Sequence, residues 1–386
     1  MTRIDQPWLT ATSSQTVCQA LTAQGAQVFF VGGCVRNALL GAPVSDLDIC
    51  TDARPNTVVE LAKTAGIKAI PTGIDHGTVT LVQEGVPFEV TTFRKDVATD
   101  GRRAVVAFAD TIDADARRRD FTMNALYADP QGRVFDPLGG LKDLVNRRVR
   151  FIGTAQNRIR EDFLRTLRYF RFHAWYGDAA AGMDPEALAA IAENLDGLPQ
   201  LSRERVTHEV LKLLSAPDPA PAVAAMRQTG VLATVLPGTD DRALSLLIHF
   251  EEQSAPCDPI ARLAALGEAK IIGESLRLSK AQDRHLAELR AAAIGTAGPG
   301  ELAYRLGRQD ALAACQLRAA LLETPLAPDL QAELAAGSAA VFPVTARDLM
   351  PGKTGAALGA ALKKLEAAWI SSQFTLSRTE LLDQLD

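Results

Sequence analysis

Val31 to Asp52 reads VGGCVRNALLGAPVSDLDICTD. A glycine pair opens a helical stretch, Val35–Leu40, that carries Arg36, and SDLDICT then reads as a strand holding Asp46 and Asp48. Side chains two apart on a strand point the same way. Asp46 and Asp48 therefore share a face, while Leu47 and Ile49 turn toward a core. Two carboxylates held that close repel unless a cation lies between them. A hard cation such as Mg²⁺ takes oxygen ligands, commonly one or two carboxylates plus substrate phosphates. The glycines suit close approach of a triphosphate to a helix N-terminus, where Gly33 and Arg36 would hold it. Singly, an Asp-x-Asp is equally a capped turn and a GG pair an ordinary one. Together in this order, turn, helix and paired carboxylates point to phosphoryl or nucleotidyl transfer.

Bulk properties narrow the class. A chain of 386 residues exceeds what one core usually spans, so two or more domains are expected. Apolar residues make up 47%, and the mean hydropathy of +0.03 describes a soluble globular protein. No apolar run approaches the length of a membrane span, and MTRIDQPWLTATSSQ lacks a signal-peptide core. Cys18, Cys34, Cys50, Cys257 and Cys315 are scattered without a CxxC pair, and read as reduced thiols in a cytoplasm. A net charge of −5 argues against indiscriminate coating of nucleic acid. The arginines nevertheless cluster: Arg102, Arg103, Arg117 to Arg119, Arg147, Arg148, Arg150, Arg158, Arg160, Arg165, Arg168 and Arg171. They are either a solvated run or forks for phosphate and base recognition.

Up to about residue 150 the periods are mixed. QVFFVGG, SDLDICT, GTVTLVQ, VPFEVTTF and RVFDP read as short strands, with helical stretches at Val35–Leu40 and Thr57–Ala65. EGVP is a hairpin turn, so part of the sheet should be antiparallel. After FIGTA the strand signal stops, and helix starts such as Asp184-Pro185-Glu186 and Ser202-Arg203-Glu204 take over. Breaks fall at APDPAP, GTAGPG and Ser338–Val344. The layout is α+β: a head with a small mixed sheet, followed by all-α segments.

Four further stretches carry chemistry or imitate it. In FEVTTFR, Glu89, Thr91 and Phe93 share a face; Glu89 is a third carboxylate, as metal ligand or base, or an exposed residue on an edge strand. Lys95 to Ala116 reads as a long polar loop, a length that is often functional. In RRRDFTMNAL, Arg119 and Asp120 combine a triphosphate-facing cation with an acceptor for a ribose hydroxyl, or form a helix-capping pair. In NRIREDFLRTLRYFRFHAWYG, Asn157 to Gly177, helical periodicity aligns Ile159, Phe163, Leu167, Phe170 and Ala174, with Arg158, Asp162, Arg165 and Tyr169 opposite. Asp162 and Arg165 are neighbours on such a helix. They are an intrahelical ion pair, or an acceptor for the exocyclic amine shared by cytosine and adenine beside a donor to the adjacent ring nitrogen. Gly352-Lys353-Thr354 imitates a P-loop, but Arg347 stands where that motif needs glycine, so it reads as a turn between helices.

GGCVRNALLG-x3-SDLDICTD, RRRDFTMNAL and the EDFLRTLR segment together resemble the class II CCA-adding tRNA nucleotidyltransferases and bacterial poly(A) polymerases, within the DNA polymerase β-like superfamily. The family's usual form has Asp after the motif arginine; here Asn37 stands there, keeping an acceptor but losing the charge. The resemblance implies Mg²⁺ on Asp46 and Asp48, a mobile loop after Arg94, and a protein template for CTP and ATP at Asp162, Arg165, Arg168 and Arg171. LSRERVTHEVLKLL resembles the family's neck helix, and FPVTARDLM to the C-terminus its tail. The implied division is a catalytic head over residues 1–150, a neck over 151–216, a body over 217–300 and a tail over 301–386. The implied activity is addition of CCA to the 3′ end of tRNA, in the cytoplasm and away from membranes, by a monomer or homodimer. Rival expectations are an A-only-adding enzyme, a poly(A) polymerase and a catalytically silent RNA-binding protein. Poly(A) polymerases generally carry a strongly basic extension, whereas this sequence finishes in the acidic ELLDQLD; a silent binding module would gain nothing from an intact Asp pair.

Overall fold

A computed structural model describes residues 2–99, 104–251, 257–350 and 352–385; Arg102 and Arg103 lie outside them. The chain divides into two compact units, Met1–Val235 and Leu236–Asp386.

Among the described residues of the first unit nine strands form: β1 Val28–Val31, β2 Leu47–Thr51, β3 Lys68–Gly73, β4 Thr78–Gln83, β5 Val86–Thr92, β6 Arg94–Thr99, β7 Ala104–Phe108, β8 Tyr127–Ala128 and β9 Val134–Phe135. Seven of them make one sheet in the order β3-β4-β5-β2-β1-β8-β9, and β6-β7 pair separately. Within the large sheet β2 and β5 run parallel and the other neighbours antiparallel, the mixed sheet that the sequence implied. Its core is fully buried Phe30, Ile49, Val79, Leu81 and Phe88. The β4–β5 turn falls on Glu84-Gly85, both at positive φ (51° and 78°), the type I′ geometry that matches the twist of a hairpin.

The register of the parallel pair positions the site. Asp48 lies opposite Glu89, with Leu47 opposite Phe88 and Ile49 opposite Val90. Leu47 and Ile49 are buried as expected.

Four expectations need correction. Asp46 stands one residue ahead of β2, not within it. β5 ends at Thr92, so Phe93 leaves the face of Glu89 and is buried in the core with Val31, Cys50 and Tyr127. Arg94–Thr99 and Ala104–Phe108 are not loop but the paired strands β6 and β7, the part of that expected loop at 100–103 lies outside the described residues, and Ile112–Arg118 is a helix capped by the Thr111 hydroxyl. Finally, the single helix read over Asn157–Gly177 is two, Ala155–Glu161 and Leu164–Tyr176. Asp162 interrupts them with extended backbone (φ −155°, ψ 107°). The break shifts the helical phase, so Tyr169 is fully buried, not on the polar side, and its hydroxyl accepts from the Asp184 amide.

The described residues of the second unit contain helices and no strand. Before them, Asp184 and Ser202 cap the helices Pro185–Ala192 and Arg203–Leu214 as their sequence predicted. Gly352 to Thr354 is a turn between the helices Ala346–Leu349 and Gly355–Ser371. Among the described residues no helix is long and apolar enough to cross a membrane.

Candidate active site

The helix Gly33–Leu40 starts where Gly32 takes positive φ (71°), a backbone that favours glycine. A side chain at Gly32 would meet Arg119 and Asn124. Beyond that start lies a cavity of about 340 Å³ lined by Gly33, Arg36, Asp46, Asp48 and Arg171. Asp46 is exposed and accepts from its neighbour Ser45; Asp48 is half-buried. Burial, then the negative charge of Glu89, pushes Asp48 up to about 6, with Arg119 opposing and Asp46 adding to the rise. Among the described residues no three metal-ligating side chains are assembled as a group. The hard oxygen donors of Asp46 and Asp48 still suit Mg²⁺, which commonly completes its shell with substrate phosphates. Glu89 is exposed beside Asp48 and lines neither this cavity nor the next.

Arg36 is 6% exposed, and its side-chain hydrogen bonds go to neutral partners. It donates to Asn37 Oδ1 (3.2 and 3.0 Å), Asn124 Oδ1 (2.8 Å) and the Tyr176 hydroxyl (2.8 Å), and lies 4.0 Å from the centroid of the Tyr176 ring. Asn37 in turn donates to the Pro43 carbonyl at 2.7 Å. The amide in place of the family's Asp thus joins the arginine to the loop that carries Asp46. A carboxylate could not donate to that carbonyl.

A second cavity, about 260 Å³, gathers Arg119, Asp120, Asn124, Asp162, Arg165, Arg168 and Arg205. Arg119 is fixed by Asp115, at 2.9 Å, and by the Tyr127 hydroxyl, at 3.2 Å. Asp120 takes Arg168 at 2.5 Å on one oxygen, and Asn124 and the Phe121 amide on the other. Burial works against its charge, but Arg168 and these bonds hold its carboxyl well below the ordinary range. It caps no helix: the turn Thr122–Asn124 that follows has Phe121 at its cap position.

Asp162 and Arg165 do not pair with each other. Asp162 Oδ1 accepts from the Leu164 amide, and Oδ2 from Arg205 at 2.7 Å. Arg165 is held by Glu161 at 2.5 Å and by the carbonyls of Arg158 and Arg118. The intrahelical ion pair is therefore overturned, and the two side chains line the cavity separately. Arg171 pairs with Glu209 at 2.6 Å, and Glu209 also reaches Arg168 at 3.7 Å. Much of the arginine cluster is tied to carboxylates in this way: Arg118 to Asp115, Arg148 to Asp184, Arg150 to Asp143 and Arg158 to Glu161.

The sequence reading passed over the residues that orient the site. Asp115 stands three and four places before Arg118 and Arg119, and Glu161 four before Arg165; both spacings mark helix neighbours and were available. Arg205 and Glu209 meet their partners only through tertiary packing, so no local signal marks them.

The chain is similar to known proteins. Residues 28–150 match the Poly A polymerase head domain, and residues 182–242 the probable RNA and SrmB- binding site of polymerase A. The human mitochondrial CCA tRNA nucleotidyltransferase 1 is 42% identical over 52% of this chain, a match spanning 46% of its own length. The zebrafish (Danio rerio) counterpart is 33% identical over 92% of this chain and 86% of its own. The Bacillus stearothermophilus CCA-adding enzyme, solved in complex with CTP, is 29% identical and superposes with a TM-score of 0.75 over 96% of this chain and 94% of that one. The chain belongs to the family of CCA-adding tRNA nucleotidyltransferases and bacterial poly(A) polymerases.

Proposed function

We propose that this chain adds CCA to the 3′ end of tRNA, using CTP and then ATP and releasing pyrophosphate. One observation carries the reading: Asp162 and Arg165 line the same cavity as Arg119 and Asp120, next to the cavity of the paired aspartates. An acceptor and a donor fork placed together can read the edge that cytosine and adenine have in common. Guanine and uracil present a carbonyl where the amine would be.

The family generally uses divalent metal ions; for this chain Mg²⁺ is the ion proposed. Held by Asp46 and Asp48, Mg²⁺ would lower the pKa of the attacking hydroxyl and offset the charge of the phosphates. The 3′-hydroxyl oxygen forms a bond to the α-phosphorus, the bridging bond to the β-phosphate breaks, and pyrophosphate leaves. Glu89, opposite Asp48 in the strand register, would take the hydroxyl proton. Gly33 and Arg36 would hold the triphosphate, Arg119 and Asp120 the sugar end, and Asp162, Arg165, Arg168 and Arg171 would form the template for the base. The helical segments would grip the acceptor arm through shape and phosphate contacts. The five cysteines, scattered along the sequence without a CxxC pair, suit a reducing compartment such as the cytoplasm.

The test is to sequence the products made on tRNA ending before, within and after CCA. The reading expects C, C and A in turn, then arrest. Addition of A alone to a tRNA already carrying CC, or long A tracts, would assign an A-adding enzyme or a poly(A) polymerase. Asp48→Ala should abolish incorporation in a protein that melts near the wild-type temperature; near-normal activity would remove the metal assignment.

A further inference from the structure

The residues assigned so far account for the base, the sugar and one side of the triphosphate, but the cavity beside Asp46 and Asp48 has a second wall. That wall comes from Arg171, Trp175 and Tyr176 on the helix Leu164–Tyr176 and from Lys212 and Ser215 at the end of the helix Arg203–Leu214. The two glycines divide the space. A side chain at Gly32 would meet Arg119 and Asn124 on the base side, and one at Gly33 would meet Arg36 on the other. A nucleotide whose α-phosphate lies at the aspartates, and whose base lies at Asp162 and Arg165, must send its remaining phosphates into this second space.

The charges there differ in availability. Arg171 is neutralised by Glu209, and Arg36 is buried with four of its five N–H donors on neutral acceptors. Lys212 is exposed and makes no ion pair among the described residues. Its main chain is not loose: the Trp175 indole N–H donates to the Lys212 carbonyl at 2.8 Å, tying the end of one helix to the other. An ammonium without an ion pair, lining the same cavity as two carboxylates, is what a metal-bridged polyphosphate needs at its far end.

We propose that Lys212 contacts the β- and γ-phosphates, and hence the departing pyrophosphate, and that Trp175 is a positioning residue for it. This rests on the nucleotidyl-transfer reading and adds a phosphate-tail subsite supplied by the helical part of the unit. Because the contact is to phosphate, it acts on CTP and ATP alike and leaves base choice untouched.

The experiment measures equilibrium binding of CTP and of CMP to the full chain with Mg²⁺ and no RNA, together with inhibition by pyrophosphate. Lys212→Ala should weaken CTP about tenfold to a hundredfold while CMP is unchanged, and should weaken pyrophosphate by the same factor. Lys212→Arg should restore most of the loss. Trp175→Phe, which removes the donor but keeps a ring, should give a smaller loss in the same direction, and none when Lys212 is already Ala. An unaltered CTP-to-CMP ratio in a folded Lys212→Ala protein overturns the proposal. So does a rise confined to the KM for RNA, which would place Lys212 on the nucleic acid. Failure of the wild type to incorporate C or A into any RNA would instead strike the activity reading, because the binding ratio does not depend on it.

Discussion

Arg119 faces the nucleotide cavity, but Asp115 decides where it points. The Asp115 side chain is fully buried and contacts Arg118 at 2.8 Å, Arg119 at 2.9 Å and the Tyr127 hydroxyl at 2.9 Å. Burial alone would raise its pKa; the two arginines and the hydroxyl outweigh that and lower it from 3.8 to about 2. A depressed carboxylate contributes stability that is fully present above its unfolded pKa and is lost as pH falls through the folded one. At about 1.36 kcal/mol per pKa unit the contribution is about 2 kcal/mol, and it should vanish between about pH 4 and pH 2. Asp115→Asn leaves Arg119 as a buried charge without its counter-ion, a change that typically costs about 3–5 kcal/mol. Denaturant titrations of both proteins should show the gap between them narrowing over that same pH window. A gap of constant size would mean that Asp115 acts through packing and not through its charge.

At the scale of elements, the interruption at Asp162 matters most. The sequence reading saw one amphipathic helix because Ile159, Leu167 and Phe170, all fully or nearly fully buried, fit one stripe on either side of the break. What marks the break is the Asp itself, which accepts from the Leu164 amide two residues on, as helix-starting aspartates do. Other misses have similar causes. β3 contains Pro71 and was passed over, yet it is the edge strand of its sheet and shifts register between Ile70 and Gly73, where a proline removes no needed ladder bond. Among the described residues β6 and β7 pair only with each other, so they carry none of the apolar alternation that marks a strand on a core. What was legible lay in local rules: the Glu84-Gly85 turn, the Asp184 and Ser202 caps, and the alternation that buries Leu47 and Ile49. The Asp162 break also sets a prediction. Arg165 is aimed by Glu161 from the preceding helix, so Glu161→Gln should loosen it. Incorporation of U and G should then rise relative to C and A by several-fold to about tenfold, the scale of one charge-assisted bond. Measured with all four nucleotides at equal tRNA, an unchanged ratio would mean that the carbonyls of Arg118 and Arg158 suffice to orient Arg165.

Over the whole molecule, every residue assigned to the nucleotide falls between Gly33 and Lys212, inside the unit Met1–Val235. The unit Leu236–Asp386 has its own cores, one around Leu302, Leu330 and Leu334 and another around Leu365 and Trp369. In the first of these the helices Pro299–Leu306 and Leu330–Ala339 meet backbone to backbone: a Cβ on Gly337 would overlap the carbonyl oxygen of Gly300. Gly337 has ordinary helical φ, so its role is to permit this approach and not to supply a special conformation. Gly337→Ala must therefore force the two helices apart, and overpacking of this kind costs about 1–3 kcal/mol. Because the displaced contact lies wholly in the second unit, the loss should appear as an earlier melting step or as faster proteolysis of residues beyond Leu236. CTP affinity measured without RNA should stay at the wild-type value, since none of its ligands has moved. Parallel loss of CTP binding at temperatures where only the early step has occurred would show that the two units unfold as one cooperative block, with the nucleotide site drawing on both.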